Sequence, residues 1–117
     1  MKIIKRDQIE SADRGGYSTK LLFTKLFKKS PKDAGFYETT INKGGICKEQ
    51  WHAKSYEVIY FLTTGHGKIV GKDYTFDKGD LLILDPGEKH EFTAPDNDVT
   101  VLALRFPHLP DDKFTTN

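Results

Sequence analysis

Cysteine, net charge and long apolar runs are all scarce in this chain of 117 residues. Cys47 is the only cysteine, so no disulfide can form within the chain and nothing indicates an oxidising compartment. The 18 Lys and Arg residues nearly balance the 17 Asp and Glu residues, which leaves a net charge of +1. So small a charge predicts no general attraction to nucleic acid or to an acidic membrane.

No apolar run approaches the length of a membrane span, and the stretch from Met1 to Arg6 has no apolar core of signal-peptide length. We therefore expect a cytoplasmic protein with no membrane partner and no nucleic-acid partner. A chain of 117 residues is long enough for one hydrophobic core but too short for two, which predicts a single domain over residues 1–117. Its ligand should be a small molecule that is selected by a site.

From residue 35 onward, short runs rich in β-branched and aromatic residues alternate with turn residues. This spacing is typical of an all-β sandwich or barrel, and we predict a jelly-roll β-barrel, or double-stranded β-helix. The barrel should occupy residues 35–106, with an N-terminal arm and edge strands over 1–34 and a C-terminal tail over 107–117. The predicted strands are Phe36–Ile41, Ile46–His52, Glu57–Leu62, His66–Val70, Tyr74–Phe76, Asp80–Leu84, His90–Thr93 and Val99–Phe106.

The segment Ser18–Lys29 is ambiguous on its pattern alone. Its leucine and phenylalanine residues can form a helical stripe with lysines opposite, a pattern that is typical of helices lying on a membrane surface. A pair of strand edges explains the same residues, and the β-rich remainder favours this second alternative. The stretch from Ser30 to Gly35 then predicts a loop or a single helical turn.

Polar residues with metal-binding side chains gather around one predicted strand junction. His52 and Glu57 lie where one strand ends and the next begins, and His90 comes from a later hairpin. Two imidazoles and a carboxylate on the inside of a barrel can bind a divalent metal and leave positions open for water or substrate. For each of the three, the alternative is a pocket residue that is hydrogen-bonded to its neighbours without a metal.

His52 and Glu57 form part of a pattern that resembles the first motif of the cupin superfamily. That motif has a glycine, His-x-His, a spaced glutamate and a closing glycine. The corresponding residues here are Gly44, Gln50-Trp51-His52, Glu57 and Gly65. Gln50 stands where the family usually has its first histidine, and one additional residue separates Glu57 from Gly65.

A second stretch resembles the other cupin motif, which carries a proline, a glycine and the last metal-binding histidine. It contains Gly79, Asp85-Pro86-Gly87 and then His90. The resemblance covers Phe36 to Phe106 and implies a small single-domain cupin, commonly a homodimer. It also implies a divalent metal ion (Fe, Mn, Ni or Zn) bound by His52, Glu57 and His90. Gln50 is a candidate fourth ligand that would bind weakly through its amide oxygen.

Three further runs are similar to ectoine synthase, an iron-dependent cupin that closes a ring with loss of water. They are Phe36-Tyr37-Glu38-Thr39-Thr40-Ile41, Tyr56-Glu57-Val58-Ile59-Tyr60 and Gly79-Asp80-Leu81-Leu82-Ile83-Leu84-Asp85. The resemblance places that family's glutamate and histidine ligands on Glu57 and His90, and its tyrosine ligand on Leu82. Leucine cannot bind a metal, so this similarity supports the fold and makes ectoine synthesis improbable.

Two hypotheses for function follow. The first is a metal-dependent enzyme, either a dioxygenase with Fe(II) or an isomerase or lyase with Mn, Zn or Ni as a Lewis acid. The sequence shows no separate base for the second version. The other hypothesis is a non-catalytic module that binds a sugar or another small molecule, with a structural metal or none. Gln50 favours it, because a weaker ligand is tolerated when catalysis is absent.

Other residues carry weaker expectations. An open barrel leaves strand edges to be covered, and Lys2-Ile3-Ile4 could add to a neighbour's sheet in a homodimer. We expect Cys47 to be an inert buried thiol and Trp51 to point away from the ligands, because side chains alternate along a strand. His66 should lie in an exposed hairpin turn, and His108 in a tail that packs over the barrel or a partner. The expected core phenylalanines are Phe61, Phe92 and Phe106.

Overall fold

The protein forms two antiparallel β-sheets in the computed structural model, which describes residues 7, 9–23 and 33–116. The strands are β1 (Ala12–Asp13), β2 (Tyr17–Phe23), β3 (Gly35–Ile41), β4 (Ile46–Trp51), β5 (Tyr56–Phe61), β6 (Gly65–Ile69), β7 (Lys72–Phe76), β8 (Leu81–Leu84), β9 (His90–Thr93), β10 (Val99–Phe106) and β11 (Phe114–Thr115). One sheet has the order β1-β2-β3-β10-β5-β8, and the other has the order β11-β4-β9-β6-β7.

The predicted fold class is confirmed as all-β with a jelly-roll arrangement of two sheets. Every strand predicted between residues 36 and 106 is present, and only its ends differ by a residue or two. These strands were predictable because each runs between two turn sequences, and turns such as those at Gly44, Gly71, Gly79 and Gly87 need the positive φ that glycine readily adopts. A helix with the length and apolarity required to cross a bilayer is absent from the described residues.

The ambiguous segment Ser18–Lys29 is a strand as far as the structure describes it. β2 pairs with β3 along most of its length, with an irregularity after Leu21. The helical alternative is therefore wrong for this part, while residues 24–32, and with them most of the predicted loop after Ser30, lie outside the described residues. At the N-terminal arm, β1 pairs with β2 as the expected edge strand, and Lys2-Ile3-Ile4 also lies outside the described part.

The core lies between the sheets and is built from inward-facing aromatic and branched side chains of both. Phe61 of β5 is completely buried and stacks on Phe76, with ring centroids 4.3 Å apart, while Phe92 of β9 meets it edge-on at 6.0 Å. Gly67 allows this packing, because a Cβ there would lie 2.8 Å from a Phe92 ring carbon. Such aromatic clusters stabilise a barrel chiefly through the apolar area they bury.

Two of the sequence expectations are wrong. Phe106 is 49% exposed and not in the core. Its neighbour Arg105 faces inward from β10, so Phe106 faces outward. His66 lies within β6 and not in a hairpin turn. It pairs with Thr75 of β7 and Thr93 of β9. Phe61 and Phe92 are core residues as expected.

Replacing Phe61 and Phe106 in turn tests the difference in burial between them. We expect Phe61→Ala to lower the free energy of unfolding by about 3–5 kcal/mol, because it opens a cavity between stacked rings. Phe106→Ala, the matched control on an exposed position, should lower it by about 1 kcal/mol or less. Urea unfolding followed by circular dichroism measures both changes. Similar losses for the two variants would contradict the described core.

Candidate metal centre

The candidate ligands come from both sheets. Glu57 lies on β5 of the first sheet, whereas His52 directly follows β4 and His90 opens β9 in the second. The register of β4 and β9 slips between Cys47, which pairs with Phe92, and Gln50, which pairs with His90. This bulge turns both Cys47 and Gln50 inward, where both are buried.

His52, Glu57 and His90 form one compact buried group. One nitrogen or oxygen atom from each residue lies within 4.8 Å of those of the other two. The Nε2 atom of His90 is 3.4 Å from Glu57 Oε1, and the Nε2 atom of His52 is 3.7 Å from Glu57 Oε2. All three side chains are at most 4% exposed. The structure therefore brings together the three residues that the sequence singled out.

Backbone carbonyls determine which nitrogen of each imidazole carries the proton. His52 Nδ1 is 2.9 Å from the carbonyl oxygen of Asp112, and His90 Nδ1 is 3.0 Å from that of Glu88. A carbonyl can only accept, so both Nδ1 atoms donate and both Nε2 atoms present lone pairs. Among the described residues, these two Nε2 atoms are the buried side-chain polar atoms without a hydrogen-bond partner. Lone pairs that converge on a carboxylate suit a cation.

Glu57 and His52 have the protonation states that metal ligands need. Burial alone would raise the pKa of Glu57, but the neighbouring His90, the Arg105 guanidinium and His52 together lower it to about 2. Burial lowers the pKa of His52 more than the Glu57 charge raises it. At neutral pH an ionised Glu57 carboxylate therefore faces a neutral His52 imidazole, and neither residue has to lose a proton before a metal binds.

Arg105 is a partner of Glu57 that sequence reasoning missed. The two residues face each other across β10 and β5, and Arg105 Nε donates to Glu57 Oε2 at 2.7 Å. The guanidinium carbon also lies 4.6 Å from the ring centroid of Tyr37. Tyr37 in turn shares a hydrogen bond of 2.6 Å between its hydroxyl and His108 Nε2. Burial and the charge of Arg105 lower the pKa of His108, which leaves a neutral imidazole at the end of this chain of contacts.

The C-terminal segment fixes the loop that carries His52. The Asp112 carboxylate accepts hydrogen bonds from the backbone N–H groups of Ala53, Lys54 and Ser55 at 2.8–3.0 Å. β11 then pairs with β4. The sequence predicted only that the tail packs over the barrel or a partner, since nothing local links residue 112 to the loop at 52–55.

The remaining sequence candidates take distinct positions. Gln50 is buried beside His90, and its role as a fourth ligand stays a prediction. Trp51 stacks on Phe114 at 5.8 Å, away from the ligand side. Burial raises the pKa of the Cys47 thiol to about 11, so it is an inert side chain. Leu82 packs against the core and offers no ligand atom.

Substituting Asp112 tests the role of the C-terminal segment. We expect Asp112→Ala to destabilise the fold by about 2–3 kcal/mol, because three backbone donors lose their acceptor. Metal affinity should fall by about 10–100-fold, since the loop no longer orients His52. Asp111→Ala, the exposed neighbour, is the matched control and should change neither quantity. Thermal unfolding and a metal titration measure both, and equal behaviour of the two variants would refute the role.

Solved structures with the same fold are numerous at low sequence identity. KdgF from Halomonas sp. superposes with a TM-score of 0.79 at 15% identity, covering 95% of this chain and 97% of that one. Pac13, a nucleoside dehydratase, gives 0.78 at 13% identity, with 100% and 92% covered. Ectoine synthase from P. lautus gives 0.74 at 20% identity, with 100% and 91% covered. At these identities the similarity shows the fold alone.

The sequence itself carries the family assignment. No curated protein matches the chain. Residues 37–105, more than half of the chain, match the cupin domain family. This range begins in β3 and ends in β10, so it contains all three residues of the buried His52, Glu57 and His90 group. The chain therefore belongs to the cupin domain family.

Proposed function

We propose that this cupin is a metal-dependent enzyme that acts on a small organic molecule. In this proposal His52, Glu57 and His90 bind a divalent metal ion, and Gln50 is a weaker fourth ligand. The observation that carries it is the pair of buried Nε2 lone pairs directed at an ionised, buried Glu57. Two imidazoles and a carboxylate form the facial set that leaves coordination positions for substrate.

An isomerase or lyase reaction agrees best with the surrounding side chains. A bound Mn, Zn, Ni or Fe ion would supply Lewis acidity that makes a proton next to a substrate carbonyl acidic. The separate base that the sequence did not reveal is the Tyr37–His108 pair, whose neutral imidazole can take up a proton through the tyrosine hydroxyl. Arg105 lies between this pair and Glu57, so the base and the metal ligands share one neighbour.

The comparisons add modest support for this class. Pac13 is a nucleoside dehydratase, and dehydration is an elimination that needs an acid and a base. The dioxygenase version uses the same three ligands with Fe(II) and needs no base, so it would leave the Tyr37–His108 pair without a role.

A non-catalytic binding module is the second candidate, and one contact favours it. Arg105 Nε lies 2.7 Å from Glu57 Oε2, so the buried carboxylate already has a counter-ion without any metal. A site that is neutralised in this way can be stable as an ordinary pocket. In this alternative the barrel binds a sugar or another small molecule, and the metal is structural or absent.

The homodimer and the cytoplasmic location stay predictions. Apolar side chains on the outer face of the first sheet are compatible with a dimer. Leu81 and Ile83 of the edge strand β8 are 60% and 65% exposed, and Tyr60 on the adjacent β5 is 40% exposed. An apolar edge of this kind is normally covered in a stable assembly.

Metal content tests the metal site on which the enzyme proposal depends. We expect the untagged protein, purified without chelator, to contain close to one divalent metal ion per chain by elemental analysis. His52→Ala and His90→Ala should each lose the metal, because each removes one of the three strong ligands. His66→Ala is the matched control on a partly exposed histidine and should retain it. A parent protein without metal, and without uptake on titration, would refute the enzyme proposal.

Arg105→Gln tests whether a bound metal ion can replace Arg105 as the counter-charge of the buried Glu57. In metal-free protein this variant should lose about 3–5 kcal/mol of unfolding free energy, because Glu57 is left buried and uncompensated. Removing a positive charge near the site should strengthen metal binding by about tenfold or more, so added Zn or Mn should restore stability. Lys78→Gln removes an exposed charge as a control. A loss that no metal restores would favour the binding module.

A further inference from the structure

A cleft with a volume of about 590 Å³ lies along the side of the barrel. Its walls come from the β1–β2 turn and β2 on one side and from β4 and β11 on the other. The polar side chains that line it are those of Arg14, Tyr17, Lys48, Gln50, Thr115 and Thr116. Of these residues, Gln50 alone has been given a role so far, as the weaker fourth ligand.

The cleft carries positive charge. Arg14 and Lys48 are the charged residues that line it. Lys113 adds a third cation, because its Nζ atom lies 3.0 Å from the hydroxyl of Tyr17. Asp13 and Glu49 are not among the lining residues, although Asp13 accepts a hydrogen bond from the Gly15 N–H at 2.9 Å and Glu49 one from the Thr116 hydroxyl at 2.7 Å. Such a lining favours an anion that also offers acceptors for hydroxyl donors.

A second cavity on the protein lacks this bias. The space of about 330 Å³ beside β7, β6 and β9 is lined by Lys68 together with the acidic Asp73 and Glu91. With one cation against two carboxylates, this lining does not favour anions. The positive lining is therefore a property of the cleft beside β4, and it does not follow from a net charge of only +1.

The cleft adjoins the candidate metal centre. Gln50 lines the cleft and is the register partner of His90. Cys47 lies on the same inward side of β4. Two groups at the cleft, Lys113 and Tyr17, act on the pKa of its thiol. So do two groups at the metal centre, Glu57 and Arg105. Gln50 therefore lies at the boundary between the cleft and the candidate metal centre.

We propose that the cleft binds the charged end of a small organic oxyanion, a carboxylate or a phosphate ester, whose reacting part reaches the metal centre past Gln50. Arg14, Lys48 and Lys113 recognise the charge, and the hydroxyl group of Thr115 donates to one of its oxygens. This inference rests on the proposed function in one respect, because it makes the occupant of the cleft the substrate of the metal centre.

Amide-resolved NMR titrations of the full chain, without metal and at constant ionic strength, test the recognition step. The probes are inorganic phosphate, succinate and, as a neutral comparison, glycerol. We expect saturable shifts at Gly15, Lys48, Gln50 and Thr115 with one or both anions and none with glycerol. The anion that binds with the lower dissociation constant shows whether a phosphate or a carboxylate is the preferred group.

Charge-matched variants make the test specific. The double variant Arg14→Gln/Lys48→Gln should weaken anion binding by about tenfold or more, because two charge-assisted contacts are lost. The control Lys68→Gln/Lys78→Gln removes the same charge elsewhere and should bind as the parent does. Equal weakening in both, or shifts spread over surface lysines without saturation, would overturn the proposal. The amide spectrum of each variant also reports whether it is folded.

A paramagnetic ion then tests the link to the metal centre. With Mn²⁺ bound, the proton signals of succinate should broaden in the parent protein and not in Arg14→Gln/Lys48→Gln. Bound Mn²⁺ without broadening would refute the link while leaving the proposed function intact. Saturable anion binding in a protein that takes up none of Mn²⁺, Zn²⁺, Ni²⁺ and Fe²⁺ would refute the proposed function and retain the cleft as a binding site.

Discussion

A negative charge buried at Glu57 is the constraint on which the interior of this barrel depends. An ionised carboxylate removed from water is unfavourable by several kcal/mol unless positive or polar groups surround it. Those groups come from three other places in the fold: Arg105 on β10, His52 after β4 and His90 on β9. Because the two histidines belong to the sheet opposite Glu57, the charge couples the two sheets at this end of the barrel.

A second layer of contacts orients the first. The imidazoles are held by carbonyl groups of Asp112 and Glu88, so backbone rather than side-chain acceptors fix both rings. The Arg105 guanidinium lies against the Tyr37 ring, and that tyrosine is hydrogen-bonded to His108. Side chains held in this way change little on binding, which is the preorganisation that a site for a metal and a substrate requires.

The local features of this protein were readable from its sequence, and the long-range ones were not. Strands between turns, and the grouping of His52, Glu57 and His90, follow from short patterns and motif spacing. Arg105 and Asp112 were missed because tertiary structure alone brings them to residues 48 and 60 positions away, Arg105 through the register of β10 on β5 and Asp112 through the segment between β10 and β11. Phe106 was assigned to the core because its apolar character suggested an inward position, whereas the register of β10 gives that position to the charged Arg105.

The dependence of His52 on Asp112 also sets an order of events during protein synthesis. A ribosome makes the chain from the N-terminal end, so β3 to β10 are synthesised before residue 112. Until then the loop after β4 lacks the acceptor for its three N–H groups, and His52 lacks the carbonyl that fixes its proton. The loop that carries His52 therefore reaches its final hydrogen bonding only after the C-terminal segment has been made.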